Sequence, residues 1–431
     1  MKNFSIELRA ISPLAIRADH APEGAETAKF ITGTTLAGSL AAVHRLLRSE
    51  AKEEFEALFL NSQVHYPNLY PASFSEEMQD FRLPVYPVPK TAQSCKRYKG
   101  FLFPKDDDEQ RHGVRDSLIN WAMFKLSSSG DNKEGDITPL AALRKYKTCP
   151  HDMSDGLEPY KRCDATMNHF EGYYRRQRHE PYNMIAAQDL STRLQTHTGV
   201  NREWDIVEEG VLYNRRVFVE GVLFWGIVKL PDDEQLAKTF ETFIRQASEE
   251  KLVRIGTGRT RGLGKVDLIL GAIEDEKDRF NTFKDRLKAF DARLKKQAEE
   301  NGMSNLKQFY FALTLHSPAI LYDELLCFRS SIDGEILAKL TGLSPSSFRL
   351  EYQAASVQRV TGWNELWGTP RTNEYIIETG SVFLFSSTLE PDDVLLQALF
   401  DLEEQGIGRR RAEGLGRVCL SDPFHLEGEL R

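Results

Sequence analysis

One short motif occurs twice in this chain, and it constrains the fold more than any other feature. GTGRTRGLGKV runs from Gly256 to Val266, and GIGRRRAEGLGRV from Gly406 to Val418. Both read G-x-G-R, then basic residues, then G-L-G-[KR]-V. Each follows a helix-like stretch, 232–250 and 391–405, and each leads into a strand-like one, VDLIL and VCLSD. IELRAISPLAI (6–16) and FALTLHSPAIL (311–321) form a second matched pair, alternating strands that run into Ser-Pro. Self-similarity at matched places means one unit used twice. The expected division is module one over 1–272 and module two over 306–431, joined by a helical linker over 273–305. In that linker Phe280, Phe283, Leu287, Phe290 and Leu294 fall at helical spacing, which reads as a solvated helix with one packed stripe.

Within module one, residues 34–47 read as a helix capped by Thr34 or Thr35. VFVEGVLFWGIVKL (217–230) reads as a strand, being dense in β-branched and aromatic residues. Strand, helix, strand, helix, strand predicts an α+β chain of two ferredoxin-like (RRM-type) modules. The first carries a long insertion at about 60–210, rich in Pro, Lys, Arg and Tyr, and expected to hold little regular structure.

At about 100–200 residues per domain, a chain of 431 residues with 41% hydrophobic content has room for two or three cores. No run of about 18 apolar residues is present, and the alternating start MKNFSIELRA lacks the order of a secretion signal, so a cytoplasmic protein away from membranes is expected. Five scattered cysteines suit reduced thiols or a metal better than a disulfide framework. The net charge of −8 argues against a broadly basic nucleic-acid binder. Charge acts locally, however. Arg254–Val266 holds Arg254, Arg259, Arg261 and Lys265 with no acid, and Gly406–Val418 holds Arg409, Arg410, Arg411 and Arg417 against Glu413 alone. Basic loops on an acidic body suit a specific anion site.

Closely spaced glycines bring backbone N–H groups to a ligand with no Cβ in the way, and successive N–H groups cup an anion. Arginine adds bidentate contacts to phosphate. The simpler reading is a tight helix-to-strand turn with exposed arginines; duplication weighs against it. A nucleotide P-loop is excluded, since no G-x-x-x-x-G-K-[ST] occurs. A dinucleotide fingerprint fails because each loop leads into a strand, not out of one.

These residues resemble the RAMP superfamily of CRISPR-associated proteins, whose mark is a glycine-rich loop after the second helix. FITGTTLAGSLAAVHRLL (30–47) resembles its "YIPGSTLRGALA" element, and RLQTHTGVNREWDIVEEGVLYNRRVF (193–218) its strand-loop-strand. More narrowly, TGWNELWGTPRTNEYIIETGSVFLF (361–385) and LPVYPVPKTAQSCKRYKGF with HGVRDSL (83–118) are similar to the Csx-ten family of type III-D complexes. The resemblance implies a noncatalytic, Cas-five-like subunit that grips the 5′ tag of the guide crRNA. Its implied partners are other RAMP backbone subunits and the large polymerase-palm-like subunit.

The candidate RNA contacts are Gly256, Gly258, Arg259, Arg261, Gly262 and Gly264 in the first loop, and Gly406, Gly408, Arg409, Arg410, Gly414 and Gly416 in the second. Gly33, Thr34, Thr35 and Gly38 mark a helix start whose N–H groups can receive an anion, or a plain capped helix on the sheet. His197, Asn201 and Arg202 fall in a polar loop before a strand that either contacts RNA or is a structural hairpin loop, and Trp363, Trp367 and Arg371 either stack on bases or anchor the second module. Cys95, His112, Cys149 and either His151 or Cys163 are candidate ligands for one structural zinc, although C-P-H is not C-x-x-C. Superfamily members that cut RNA use an aspartate before the first helix or a histidine. Asp19, His20 and His44 are the positions to weigh here, and the expected G-x-D surroundings of Asp19 are absent. Ribonuclease activity is the alternative to a noncatalytic grip, and a purely protein-binding scaffold the third reading.

Overall fold

The structure is a computed structural model. It describes residues 1–16, 27–72, 84–102, 111–128, 147–150, 163–179, 182–186, 191–201, 206–273, 276–303, 306–361, 363–364, 369–370 and 372–426. The chain is mixed α+β, with several small antiparallel sheets.

The N-terminal part builds a four-stranded sheet from β1 (Lys2–Ala10), β2 (Tyr70–Pro71), β3 (Leu223–Leu230) and β4 (Val266–Ile273). Helix α1 (Gly33–Leu47) follows β1, and α2 (Glu234–Glu249) follows β3. The strand order is β4-β1-β3-β2, with every pair antiparallel. Alternation in β1 sends Phe4, Ile6, Leu8 and Ala10 into the core. There they meet Leu36 and Leu40 of α1 and Phe240, Phe243 and Ile244 of α2.

Helix α3 (Glu276–Glu300) leads into a second sheet. This contains β5 (Phe309–Leu315), β6 (Phe348–Ala354), β7 (Val382–Ser387) and β8 (Val418–Leu420), with α4 (Gly334–Thr341) and α5 (Asp393–Gln405) in the connections. Its order is β6-β7-β5-β8, again antiparallel. In both sheets the first strand of the unit is central and the strand after the glycine-rich loop lies beside it. Strand β5 is buried along its whole length, because both faces of this sheet are covered. Phe309, Phe311, Leu313 and Leu315 face α4 and α5, whereas Tyr310 and Ala312 face Phe290 and Leu294.

Two local expectations are corrected. Helix α1 starts at Gly33 and its cap is Thr32, whose side chain accepts from Thr35 N at 3.3 Å; Thr34 and Thr35 lie inside the first turn. The stretch 217–230 is a hairpin corner, since Gly221 at φ 86° turns the chain between Phe218 and Leu223. Helix α3 keeps the expected packed stripe, and the stripe divides between two cores. Phe283 and Leu287 enter one core, and Phe290, Leu294 and Ala298 cover the opposite face.

The region expected to be irregular holds two three-stranded sheets, one of Val85–Pro87, Tyr173–His179 and Tyr182–Ala186, the other of Ala92–Cys95, Val114–Asp116 and Met167–His169. It also holds a helix, Leu118–Ser128, which packs on the second sheet and stacks Trp121 on Tyr352 with the rings 5.9 Å apart.

A buried ionic seam joins the two sheets. Lys229 of β3 lies 3.4 Å from Glu404 of α5, and Arg279 of α3 also pairs with Glu404. Burial pushes the Glu404 carboxyl up, but the Lys229 charge and the Arg279 hydrogen bond outweigh it and hold the group below its ordinary value. Among the described residues no helix is long and apolar enough to cross a membrane.

Candidate nucleic-acid interface

The first loop begins where α2 ends and returns into β4. Buried Val253 and Ile255 anchor its entry. Its base is closed by Ile255 N donating to Gly264 O at 2.8 Å, Thr257 N to Ala15 O at 2.8 Å and Gly264 N to Pro13 O at 2.9 Å. The Ser-Pro segment after β1 therefore holds the loop, which explains why both motifs recur together. A Cβ on Gly256 would overlap the Ala15 carbonyl. The tip is a 3-10 turn, Arg259–Arg261, flanked by Gly258 at φ 75° and Gly262 at φ 80°.

The second loop repeats the scheme. Ile407 N donates to Gly416 O at 2.8 Å, Arg409 N to Ile320 O at 3.0 Å and Gly416 N to Pro318 O at 2.7 Å. Its tip is the 3-10 turn Arg411–Glu413 between Arg410 at φ 59° and Gly414 at φ 90°. These equivalences are gapless: Ile255 matches Ile407, Gly256 matches Gly408, Gly258 matches Arg410, and Gly264 matches Gly416. Aligning the two G-x-G-R strings, which treats Ala-Glu as extra, is therefore two residues out of register. Arg410 carries the left-handed backbone that glycine supplies in the first loop, a conformation costing roughly 1–2 kcal/mol for an ordinary residue. Its guanidinium is held by Glu413 at 2.7 Å and Glu374 at 2.5 Å, and the Glu413 hydrogen bond raises its pKa further.

The two tips point to different surroundings. Arg259, Thr260, Arg261 and Gly262 are exposed, and Arg215 of the hairpin Thr192–Asn201/Ile206–Phe218 reaches the loop. A Cβ on Gly258 would stand 2.9 Å from Arg215 Nη1. Sequence reasoning missed Arg215. The cue in the sequence was its place in the Asn-Arg-Arg run before Phe218.

The second tip is seated against the N-terminal part. Tyr66 N donates to Ala412 O at 3.1 Å. A Cβ on Gly414 would meet Asn68 Oδ1 at 2.8 Å, and one on Gly33 would meet Glu413 O at 2.5 Å and Tyr66 O at 2.6 Å. Asn68 Oδ1 also accepts from Gly33 N at 2.9 Å. Arg417 donates to His65 O at 3.2 Å, and burial brings its pKa down to about 10. Burial and the Arg417 charge bring His65 down to about 4. Arg409 alone of this loop's arginines is exposed, over the Tyr322 ring at 4.8 Å.

The other candidates are dispersed. Thr34 and Thr35 are half-buried, and Gly38 is exposed with open space around it. His197 and Asn201 lie within the strand Thr192–Asn201, in register with Tyr213 and Ile206, and not in a loop. His44 is buried among Phe55, Phe59 and Phe243 with Nε2 3.0 Å from Glu54 Oε1, so it has no open side from which to reach RNA. Asp19, His20, His151, Arg202, Trp367 and Arg371 lie outside the described residues.

Cys95, His112, Cys149 and Cys163 converge, with all ligand atoms within 4.8 Å of one another and all four residues buried. Cys95 Sγ stands 3.8 Å from Cys163 Sγ, and His112 Nδ1 3.3 Å from Cys149 Sγ. This buried group is chemically able to hold a metal ion. A second group, His316, Cys419 and Asp422, is already occupied internally: His316 Nε2 and the Tyr174 hydroxyl both bond Asp422, as does Phe424 N at 2.8 Å.

The family model described as "RAMPs: RAMP superfamily" matches residues 7–267. The chain belongs to the RAMP superfamily. No curated protein matches it. Among solved structures it is similar to a chain of the Type III-B Cmr-beta complex bound to cognate target RNA and AMPPnP, at 10% identity and a TM-score of 0.37, covering 88% of this chain and 86% of that one. It is similar to a chain of the Csm3-Csm4 subcomplex of the type III-A CRISPR-Cas interference complex at 13% identity and a TM-score of 0.33, covering 89% and 92%. A chain of a Type IV-B CRISPR complex matches at 10% identity and a TM-score of 0.26, covering 63% and 90%.

Proposed function

We propose that this chain is a noncatalytic RNA-binding subunit of a type III CRISPR effector complex, of the Csx-ten-like III-D kind. In this reading it grips the 5′ tag of the guide crRNA and assembles with RAMP backbone subunits and a large polymerase-palm-like subunit, in cytoplasmic antiviral defence. It is built on two ferredoxin-like modules, 1–272 and 306–431, joined through 273–305. The two four-stranded sheets, each closed by a glycine-rich loop, support that division. The observation that carries the function is the first loop. An acid-free turn on four positive-φ glycines exposes Arg259 and Arg261 beside Arg215, within the span that the family matches. Such a surface holds phosphate by charge and shape without reading bases. The same reading places one structural zinc in the Cys/His cluster.

The test is the salt dependence of guide-RNA binding. For single strands each neutralised phosphate contributes about 0.7 to the slope of log K against log salt. Arg259→Ala with Arg261→Ala removes two cations, and should flatten the slope by about 1.4 and weaken binding across sequences alike. Unchanged affinity and slope would remove the first loop as the RNA site. Metal-independent or metal-dependent cutting of labelled repeat RNA by the purified chain would overturn the noncatalytic part.

A further inference from the structure

We infer that Cys95, His112, Cys149 and Cys163 form a closed zinc site whose metal locks the sheet Ala92–Cys95/Val114–Asp116/Met167–His169 onto the second sheet. The inference rests on the zinc reading above and adds what the metal does.

The ligand spacing fits the ion. With Zn–S near 2.3 Å and Zn–N near 2.05 Å, a tetrahedron has an S–S edge of about 3.8 Å and an N–S edge of about 3.6 Å. Here the corresponding separations are 3.8 Å and 3.3 Å. A disulfide between Cys95 and Cys163 would need about 2.05 Å. Three thiols and one imidazole complete the four positions, so none is left for water or substrate, which makes the site structural. The surroundings are dry: Ala165 and Met167 pack on the cysteines, and Tyr98 stacks on the His112 ring at 4.2 Å.

Each ligand sits on or beside backbone that is already paired. Cys95 ends its strand, and His112 N donates to Tyr98 O at 3.0 Å. Cys149 N donates to Ala165 O at 2.8 Å, and Lys96 N donates to Thr166 O at 3.0 Å. These strands are only three or four residues long, so the sheet has a short hydrogen-bonded ladder of its own. A metal supplies the free energy that a small core lacks. The same sheet then makes the contact with the second one. Asp116 Oδ2 accepts from His425 Nδ1 at 2.7 Å, and His425 Nε2 lies 2.9 Å from Thr314 Oγ1 on the central strand β5. Asp116 Oδ1 also accepts from Leu118 N at 3.2 Å, at the start of the helix that packs on Tyr352. Removing the metal frees the sheet, and with it the tie from Asp116 through His425 to β5.

The experiment uses the full chain expressed with zinc in the medium. Elemental analysis should find about one zinc per chain. Cys163→Ala should lose it, while Cys327→Ser, at an exposed cysteine outside the cluster, should keep it. Because Cys163→Ala alone can misfold, the wild-type protein is also stripped with a chelator and followed by hydrogen exchange. Amides at 92–95, 114–116 and 424–426 should exchange about tenfold faster or more, while those of β7 stay protected. Absence of zinc from the wild-type chain would sink the zinc reading itself. Zinc that is bound, with exchange at 424–426 unchanged on stripping, would leave that reading standing and overturn the lock.

Discussion

Gly262 and Gly414 occupy the same place in the two loops, and substituting each with alanine isolates what the second loop does. Their backbones are nearly identical, at φ 80° and φ 90°, so an added Cβ incurs the same left-handed cost of roughly 1–2 kcal/mol. Around Gly262 a Cβ meets nothing within 4 Å. Around Gly414 it meets Asn68 Oδ1 at 2.8 Å, Asn68 N at 3.0 Å and Tyr66 O at 3.1 Å, two of the three being backbone atoms. Asn68 cannot retreat without giving up Gly33 N, a buried donor at 2.9 Å whose loss costs about 1–3 kcal/mol. Gly414→Ala should therefore exceed Gly262→Ala by about 2 kcal/mol. With a urea slope of about 2 kcal/mol/M this is a midpoint lower by about 1 M. A chain with several separate cores is not bound to unfold in two states, so tryptophan fluorescence is paired with hydrogen exchange at Gly33–Thr35, which should speed up only in Gly414→Ala. Equal midpoints and unchanged exchange at the start of α1 would refute the seating of the second tip.

Three further outcomes are expected. Leu294→Ala in α3, whose side chain is fully buried, should cost about 2–5 kcal/mol by thermal or urea unfolding, where a solvated linker position would cost under about 0.5 kcal/mol. Glu404→Ala should cost about 3–5 kcal/mol, because Lys229 and Arg279 keep their buried charges; adding Lys229→Met should recover part of it. For Asp422, burial pushes the carboxyl up, but the His316 hydrogen bond and charge win and bring it from 3.8 to about 2. Since the folded pKa is the lower one, its stabilisation of about 2 kcal/mol is present above pH 3.8 and lost as pH falls towards 2. Asp422→Asn should flatten the urea midpoint over that window.

What could be read from the sequence follows physical range. Local periodicity exposed the helices, the alternating β1 and the duplicated loop, since each is encoded within a few neighbours. The loop register was lost for a definite reason. Arg410 sits where the first copy has Gly258, so a pattern keyed to glycine slid by two residues to find its partner. The α3 stripe was visible, but which surface covers it depends on β5 and the helix Leu118–Ser128, far away in the chain. The cluster of cysteines and histidine was visible by residue type only. Its pairs, Cys95 with Cys163 and His112 with Cys149, are made by strand pairing across the insertion, so no short spacing announces them. Arg215 escaped because its role comes from where the hairpin returns, beside Gly258.

Duplication alone would make the two loops interchangeable, and the tips show why they are not. At matched positions the first tip carries Arg259 and Arg261, and the second Arg411 and Glu413. Glu413 neutralises Arg410 within the loop, and its backbone closes on Gly33. A loop that packs on a neighbouring sheet must shed uncompensated charge, because burying it costs several kcal/mol. A loop that receives phosphate must keep its cations in reach of solvent. With its one acid and one left-handed arginine, the second copy turns inward onto Tyr66, Asn68 and Gly33. The first copy stays outward with its basic tip in solvent, and RNA binding should therefore respond to Arg259 and Arg261 well before it responds to Arg410.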